Sequence, residues 1–255
     1  MAQEFLEAAE AAARRAGEVL RYWAARITVS EKGPADLVTE ADLASQAAIV
    51  DVLQGRFPEH DFLGEENLAS ARRSNYRWVI DPLDGTTNYV HRYPYYAVSI
   101  GLEQQGELLV GVVYDPIRDE LYSALRGAGA YLNGQPMRAS RVDDVGQALT
   151  VASLPTRGGV EHPAVQRFLK VLGVAQSVQR TGSSALNLAQ VAAGRLDAYW
   201  SSTARPWDLA AGVLLVTEAG GSVTRMDGQP FSIEVPNLLA TNGTALHGQL
   251  QELLR

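Results

Sequence analysis

The sequence predicts a protein of mixed α/β class made of two layered lobes. Apolar residues at helical spacing open the chain, short strand-like runs joined by tight turns occupy residues 78–136, and strands alternate with helices from there to the end. Strands joined by hairpins form antiparallel sheets, whereas strands separated by helices form parallel or mixed sheets. We therefore expect helices on an antiparallel sheet in the first half and a mixed sheet between helices in the second half.

Two helices are predicted before the first sheet. Apolar residues between Phe5 and Trp23 recur every three or four positions, which is typical of an amphipathic helix. A second helix is expected to begin near Thr39, because Thr39 with Asp42 three residues later fits a capping box. Phe57-Pro58 ends this helix, since the residue before a proline disfavours the helical conformation. Its apolar face is expected to contain Leu43, Ala47, Val50 and Leu53.

Both sheets are predicted from short β-rich runs bounded by turn residues. In the first half, V-S-I-G-L-E, L-L-V-G-V-V-Y-D and E-L-Y-S-A-L are separated by Gln105-Gly106 and Asp115-Pro116 and form a meander. In the second half, A-L-T-V-A-S-L, Q-S-V-Q-R, L-D-A-Y-W, S-V-T-R-M and N-L-L-A-T-N alternate with helical segments. We place an N-terminal lobe at residues 1–142 and a C-terminal lobe at residues 143–255. No long linker separates them, so we expect one rigid unit.

The composition and charge of the chain exclude some kinds of protein, partner and metal site. The hydrophobic content of 46% is ample for a buried core. The longest strongly apolar run, Leu209–Val216, is far shorter than the roughly 20 residues that cross a bilayer. A net charge of -7 disfavours nucleic acid and anionic membranes as partners. The absence of cysteine excludes disulfides and thiolate metal sites, and it fits a reducing, cytoplasmic compartment.

In the stretch W-V-I-D-P-L-D-G-T-T-N-Y-V, an apolar run typical of a strand is followed directly by two acids, Asp81 and Asp84. Acids in turns are common, and Asp84-Gly85 taken alone is an ordinary turn dipeptide. However, two carboxylates about 5 Å apart repel by roughly 3 kcal/mol at an effective dielectric constant of 20. Either a proton or a cation must relieve that repulsion. With no cysteine and only four histidines, Mg²⁺ is favoured over Zn²⁺.

Other acids have both a structural and a functional interpretation. Asp42 and Asp208 each lie where a predicted helix begins, and an acid there stabilises a helix by about 0.3–1 kcal/mol without any further role. The acids of G-E-E, Gly64 to Glu66, are also compatible with a solvated surface pair. The functional interpretation depends on how these acids combine with Asp81 and Asp84.

Four motifs occur in a fixed order along the chain. They are D-L-V-T-x-x-D at 36–42, G-E-E at 64–66, D-P-L-D-G-T-T-N at 81–88, and W-D-x-A-A-G with T-E-A-G-G at 207–221. Together they resemble the inositol monophosphatase family of Mg²⁺-dependent, lithium-sensitive phosphatases. The resemblance implies a fold layered as helix, sheet, helix, sheet and helix, and a homodimer.

The resemblance also implies a set of metal ligands. Asp81, Asp84, Asp208 and Glu65 would bind two to three Mg²⁺ per site, and Leu83 would offer its backbone carbonyl. With Asp42 as a fifth acid the side chains carry a charge of -5, and three Mg²⁺ carry about +6. The loaded site would then attract a phosphate dianion although the protein is acidic.

Catalytic roles are implied for the residues around these ligands. Thr86 would orient the attacking water, with its hydroxyl close to Glu65, and Asp42 would serve a weaker third metal. Gly85 and Thr86 would present backbone N–H groups to the phosphate, as a glycine-containing turn can, and Asp84 and Asp208 would border the substrate. The implied reaction is direct attack of a metal-activated water on a phosphate monoester, without a phosphoenzyme.

The motifs indicate the reaction more specifically than they indicate the substrate. Gly182, Ser183 and Ser184 match a stretch that contacts inositol hydroxyls in the family, although a serine there is also an ordinary helix N-cap. Ser201 lies seven residues before Asp208, where inositol-preferring relatives usually carry Glu. A charged acceptor for a sugar hydroxyl is therefore missing. Ser201 remains a candidate substrate contact, and this departure weakens the prediction of inositol.

Several alternatives stay open at this point. Arg205 and Arg180 are candidates to bind a second anionic group, or they are ordinary surface arginines. A small phosphorylated metabolite is expected as the substrate. Inositol monophosphate comes first, and fructose 1,6-bisphosphate, 3′-phosphoadenosine 5′-phosphate and histidinol phosphate are alternatives. A non-catalytic protein of the same fold that engages RNA or transcription machinery is the alternative of another class, and the acidic composition disfavours it.

Overall fold

Helices and sheets stack in five layers. The computed structural model describes residues 2–26, 29–33, 36–70 and 72–255, with only the backbone of residues 29–33 and 36–38. Its helices are α1 (Ala2–Trp23), α2 (Glu40–Arg56), α3 (Thr86–Val90), α4 (Pro163–Leu172), α5 (Ser184–Ala192), α6 (Pro206–Glu218) and α7 (Leu246–Leu254). None of these described helices is both long and apolar enough to cross a lipid bilayer.

The strands form a small ribbon and two larger sheets. The ribbon pairs β1 (Val29–Gly33) with β2 (Asp36–Thr39). The first large sheet contains β3 (Asp61–Gly64), β4 (Tyr76–Asp84), β5 (Ala97–Gln104), β6 (Glu107–Asp115), β7 (Glu120–Leu125), β8 (Gly129–Leu132) and β9 (Gln135–Pro136). The second contains β10 (Leu149–Ala152), β11 (Ser177–Gln179), β12 (Ala198–Ser201), β13 (Ser222–Thr224) and β14 (Leu238–Thr241).

Strand direction differs between the two large sheets. In the first, the strands follow sequence order and every pair from β4 to β9 is antiparallel, whereas β3 runs parallel to β4. In the second, the order is β11-β10-β12-β14-β13, with parallel pairs around β10 and antiparallel pairs around β14. The predicted antiparallel meander and mixed sheet are confirmed.

Helices cover both faces of each large sheet. Helices α1 and α2 pack on the outer face of the first sheet around residues such as Trp78, Ile80 and Ile100. Helices α5 and α6 fill the layer between the sheets. Helices α4 and α7 close the far side of the second sheet around Trp200. The predicted five-layer order of helix, sheet, helix, sheet and helix is confirmed.

The buried face of α2 differs from the predicted one. Leu43 is 54% exposed, whereas Ala41, Ile49 and Leu53 are buried. The predicted capping box forms, because the Thr39 N–H donates to the Asp42 carboxylate. This cap turns a polar stripe of the helix inward, so the prediction was wrong for Leu43, whereas it was confirmed for Leu53.

Helix α6 lies unusually close to the first sheet. A Cβ added to Gly111 on β6 would stand 2.5 Å from the backbone oxygen of Ala211, and one added to Gly101 on β5 would stand 2.9 Å from the Cβ of Ala210. Backbone and methyl groups are thus in contact where larger side chains would hold the helix away from the strands. Small residues on the helix and on the strands thus determine how closely α6 packs against the first sheet.

Gly111→Ala is therefore expected to lower the free energy of unfolding by about 1–3 kcal/mol, the usual cost of overpacking a core. The clash is with backbone, which cannot rotate away as a side chain can. Gly55→Ala on α2 is the matched control, since no atom lies within 4 Å of its added Cβ. That change should raise stability by about 0.5–1 kcal/mol. Urea unfolding of both variants measures the difference, and equal stabilities would contradict this account of α6.

Candidate active site

Strand β4 carries two acids into the protein interior. Trp78, Val79 and Ile80 are fully buried, and the strand continues through Asp81, which is 1% exposed, to Asp84. The pairing of β4 with β5 shifts register between the two acids, so the backbone there is irregular. Apolar packing of the strand thus forces both carboxylates out of bulk water.

The turn after β4 is fixed by backbone contacts. The Leu83 N–H donates to Asp81 Oδ1 at 2.9 Å. Gly85 has a φ of 102°, in the left-handed region that favours glycine, and a Cβ there would lie 3.1 Å from the Tyr95 carbonyl oxygen. Thr86 then begins helix α3. The turn therefore holds Asp81, Asp84 and Thr86 in a set relative position.

Helix α6 brings a third acid from the second half of the chain. Asp208 lies in the first turn of α6, where its Oδ2 accepts the N–H of Arg205 at 2.8 Å. The preceding residue, Trp207, offers its carbonyl to the hydroxyl of Ser99 at 3.1 Å. Ser99 is the register partner of Asp81 in the first sheet. This single contact anchors the start of α6 beside Asp81.

The three acids form one cluster. Asp81, Asp84 and Asp208 each offer a carboxylate oxygen, and these oxygens lie within 4.8 Å of one another. Among the described residues, none of the three forms an ion pair with an arginine, lysine or histidine. Like charges this close to one another in a low-dielectric interior need a cation or a proton.

Burial is the main cause of perturbed acidity in the cluster. It raises the pKa of Asp81 well above the ordinary value, and the charges of Glu65, Asp84 and Asp208 raise it further. Burial likewise raises the pKa of Asp208, with Asp84 and Glu65 adding to the effect. Glu65 is thus electrostatically coupled to the cluster, although the group of oxygens within 4.8 Å consists of the other three acids. It lies just after β3, in the G-E-E turn.

Asp84 is also bound to the second lobe. Its Oδ2 accepts the hydroxyl of Ser183 and the N–H of Ala185, each at 2.6 Å. Burial raises the pKa of Asp84 to about 6, and these hydrogen bonds oppose the rise. One carboxylate oxygen of Asp84 thereby accepts two hydrogen bonds from the start of α5.

Thr86 lies between a carboxylate and a carbonyl. Its hydroxyl is 3.4 Å from Asp42 Oδ1 and 3.2 Å from the Leu83 carbonyl oxygen. The carboxylate in contact with this hydroxyl is therefore that of Asp42, and the predicted proximity to Glu65 stays a prediction. The second oxygen of Asp42 accepts both the N–H and the hydroxyl of Thr39. Burial raises the pKa of Asp42.

The residues predicted to contact the substrate differ in their exposure and in their hydrogen bonds. Ser183 is buried as the N-cap of α5, so its hydroxyl is already engaged. Ser184 accepts the hydroxyl of Tyr199 at 2.8 Å. Ser201 is 1% exposed and accepts two backbone N–H groups of the turn that follows it. Arg205 is exposed at the start of α6. Substrate contact by these residues stays a prediction.

Asn88 and Ser99, which the sequence did not predict as site residues, connect the first sheet and the turn after β4 to the second lobe. The Asn88 side chain donates to the carbonyls of Tyr95 and Thr181, at 2.7 and 2.9 Å. It lies against Gly182, whose φ of 93° also favours glycine. Ser99 was missed as well. The final Asn of D-P-L-D-G-T-T-N was a visible signal for Asn88, whereas nothing local marks Ser99.

Comparison with known proteins identifies the family of this chain. The family model described as the inositol monophosphatase family matches residues 1–255. The chain belongs to that family. Inositol-1-monophosphatase of Synechocystis sp. is 41% identical over 256 residues, which cover 99% of this chain and 89% of the relative. Membership makes the chain a phosphate monoester hydrolase.

Two further relatives show how far the family likeness extends. The solved structure of inositol monophosphatase from Anabaena superposes with a TM-score of 0.89 at 40% identity, covering 99% of this chain and 95% of that one. A curated relative from Pseudomonas aeruginosa, named Nus factor SuhB, is 41% identical over 249 residues, covering 94% of this chain and 92% of that protein. Fold and family are thus shown by both sequence and structure.

Proposed function

We propose that the chain hydrolyses inositol monophosphate in a Mg²⁺-dependent reaction. The observation that carries this proposal is the convergence of Asp81 and Asp84, both buried, with the partly buried Asp208 in one cluster without a basic partner among the described residues. Such a cluster is costly to a protein that needs only a stable fold. Relatives named inositol-1-monophosphatase at about the same length support the choice of substrate.

The donor set fits a hard divalent cation. Carboxylate and carbonyl oxygens are the ligands that Mg²⁺ takes in proteins. Asp81, Asp84 and Asp208 would hold it, with Glu65 and the Leu83 carbonyl as further ligands, and two to three ions would occupy the site. When bound, Mg²⁺ supplies charge that stabilises the phosphate and acidifies an attacking water.

The protein's own groups would orient that water. The Thr86 hydroxyl has one proton, which it shares with Asp42 and the Leu83 carbonyl, so its lone pairs remain to accept a hydrogen bond from the water. Asp42, whose pKa is raised by burial, is placed to take up a proton through Thr86. Backbone N–H groups of Gly85 and Thr86 would hold the phosphate oxygens.

A panel of phosphate esters tests the substrate. Phosphate release from myo-inositol 1-phosphate, fructose 1,6-bisphosphate, 3′-phosphoadenosine 5′-phosphate and histidinol phosphate would be measured with and without Mg²⁺, and with added Li⁺. We expect kcat/KM to be highest for the inositol ester and Li⁺ to inhibit. A higher value for another ester would overturn the substrate proposal but leave the reaction intact.

A regulatory role by binding is the second candidate. The likeness to the relative named Nus factor SuhB is the observation that favours it. A chain that acted only by binding would release no phosphate from any ester in the panel. The net charge of -7 still disfavours a nucleic-acid surface.

Homodimer formation, a cytoplasmic location and the division into lobes at residues 1–142 and 143–255 also stay part of the proposal.

Mg²⁺ binding is expected to weaken steeply below pH 6. The folded-state pKa of Asp84 is about 6, above its unfolded value, so the folded protein holds this proton as the pH falls, and the proton competes with the cation. The apparent affinity should drop about tenfold per pH unit for each displaced proton. Conversely, the metal-free protein loses stability as the pH rises through this window, because the charged acid is disfavoured by burial.

The Mg²⁺-induced rise in melting temperature, measured from pH 5 to pH 8, checks this prediction. The rise should be largest at pH 8 and smallest at pH 5. The Asp84→Asn variant lacks both this titrating group and a proposed Mg²⁺ ligand, so its Mg²⁺-induced rise should be small at every pH. A Mg²⁺-induced shift of the wild-type protein that is the same at both ends of the range would contradict the prediction.

A further inference from the structure

The inward polar stripe of α2 holds two separate parts of the acidic site. The hydroxyl of Ser45, which is fully buried, donates to the Pro82 carbonyl at 2.8 Å. The side-chain amide of the next residue, Gln46, donates from Nε2 to the Glu66 carbonyl at 3.1 Å. Pro82 lies between Asp81 and Asp84 in the β4 turn. One short stretch of helix therefore contacts both acid-bearing turns.

The Gln46 side chain lies next to the residues on both sides of Glu65 in the G-E-E turn. Its Nε2 reaches residue 66, and its Oε1 lies 3.2 Å from the position that a Cβ on Gly64 would take. That Cβ would also stand 3.0 Å from the Ile80 carbonyl oxygen, so Gly64 lies close between the helix and β4. The carboxamide thus holds the residue after Glu65 by a hydrogen bond and lies close beside the residue before it.

This carboxamide is not explained by stability alone. Gln46 Oε1 is buried and has no hydrogen-bond partner among the described residues. A buried acceptor left in that state costs about 1–3 kcal/mol. An apolar side chain of equal length would avoid the cost but would lose the bond to the Glu66 carbonyl. The amide also adds no charge beside Glu65, Glu66 and Asp42.

We propose that Gln46 is a positioning residue that sets the affinity of the site for Mg²⁺. Together with Ser45 it fixes the distance between Glu65 and the Asp81–Asp84 turn, because both hydrogen bonds start from adjacent residues of one rigid helix. The proposal rests on the proposed function, since it assumes that Glu65 and the acidic cluster share a cation. Gln46 touches no reacting atom, and its effect passes through the position of Glu65.

The test is Gln46→Met, which keeps the length of the side chain and removes the amide. Calorimetric titration of Mg²⁺ without substrate should show a dissociation constant about tenfold higher, in the range seen when groups that orient metal ligands are removed. The Mg²⁺ concentration for half-maximal phosphate release should rise in parallel. The kcat at saturating Mg²⁺ should stay within about threefold of wild type, because the reacting groups are unchanged.

Gln190→Met is the matched control. Gln190 is a buried glutamine, and its Nε2 donates to the Tyr122 hydroxyl at 3.0 Å on the far part of α5. We expect this variant to lose stability without any change in Mg²⁺ affinity. If Gln46→Met does not fold, Ser45→Ala applies the same test to the other hydrogen bond and should also weaken Mg²⁺ binding.

The outcomes separate the two proposals. Loss of stability in both methionine variants with unchanged Mg²⁺ dissociation constants would show that Gln46 is structural only, and this inference would be overturned. A wild-type chain that binds no Mg²⁺ would refute the proposed function and this inference together. Weaker Mg²⁺ binding in Gln46→Met but not in Gln190→Met would support it.

Discussion

Asp81→Asn is expected to lower Mg²⁺-dependent phosphate release by about 1,000-fold or more, because a bound cation supplies several kcal/mol of transition-state stabilisation and each 1.36 kcal/mol is tenfold in rate. Asp81 is the most enclosed acid of the cluster, at 1% exposure, and it feels the charges of Glu65, Asp84 and Asp208. The asparagine would occupy nearly the same volume and could still accept the Leu83 N–H, so the fold should persist.

The same substitution should stabilise the metal-free protein. Where Asp81 is ionised, the wild-type chain must bury its charge among like charges, and the neutral amide removes that cost. Burial raises the pKa of Asp81, so the folded protein takes up this proton as the pH falls and the gain in stability from Asn should shrink. Loss of activity together with a higher melting temperature is the signature of a binding acid that is held in place at the expense of stability.

Asp61→Asn provides the opposite control. Asp61 is also buried, at the start of β3, but its Oδ2 accepts the N–H groups of Arg73 and Ser74, each at 2.7 Å. These bonds lower the pKa of Asp61, led by the one from Ser74, so its charge is favoured by the fold. We expect this variant to lose stability and keep its activity. Comparable activity losses in both variants would refute the assignment of Asp81.

Local patterns predicted the two sheets and revealed the acid motifs, and the family resemblance implied the order of the layers. Hairpin spacing revealed the meander, and the alternation of strands with helices revealed the mixed sheet. Apolar periodicity failed on α2, where Leu43 was assigned inward although it is 54% exposed. The failure has a functional cause. The inward face of α2 is partly polar, with Asp42 and Ser45 directed at the site, and a search for an apolar stripe rejects that face.

Contacts between distant residues were beyond the reach of sequence patterns. Ser183 is far from Asp84 in the chain, and Ser99 is far from Trp207, yet each pair forms a hydrogen bond that positions an acid. Serine is too common for its presence to signal such a role. These contacts exist only because α5 and α6 pack between the sheets. The clustered acids were therefore predictable from motifs, whereas the residues that hold them in place required the fold.

Thr86→Ala is the second variant for which we expect a large effect, a fall in kcat of about 100-fold, the lower end of the contribution made by positioned proton-transfer groups. The hydroxyl lies between Asp42 and the Leu83 carbonyl, and no other side chain in these contacts could present a lone pair to the water at the same point. The proposed metal ligands remain, so Mg²⁺ affinity should change little.

Thr86→Ser distinguishes this role from packing. Serine keeps the hydroxyl and loses the methyl group, so it should retain most of the activity, whereas Thr86→Val keeps the shape and should be as inactive as alanine. Steady-state kinetics at saturating Mg²⁺ would assign the loss to kcat rather than KM, because the hydroxyl acts on the water and not on the bound ester. An active Thr86→Val enzyme would show that the hydroxyl of Thr86 does not orient the nucleophile, and Asp42 would then lose its path to the water.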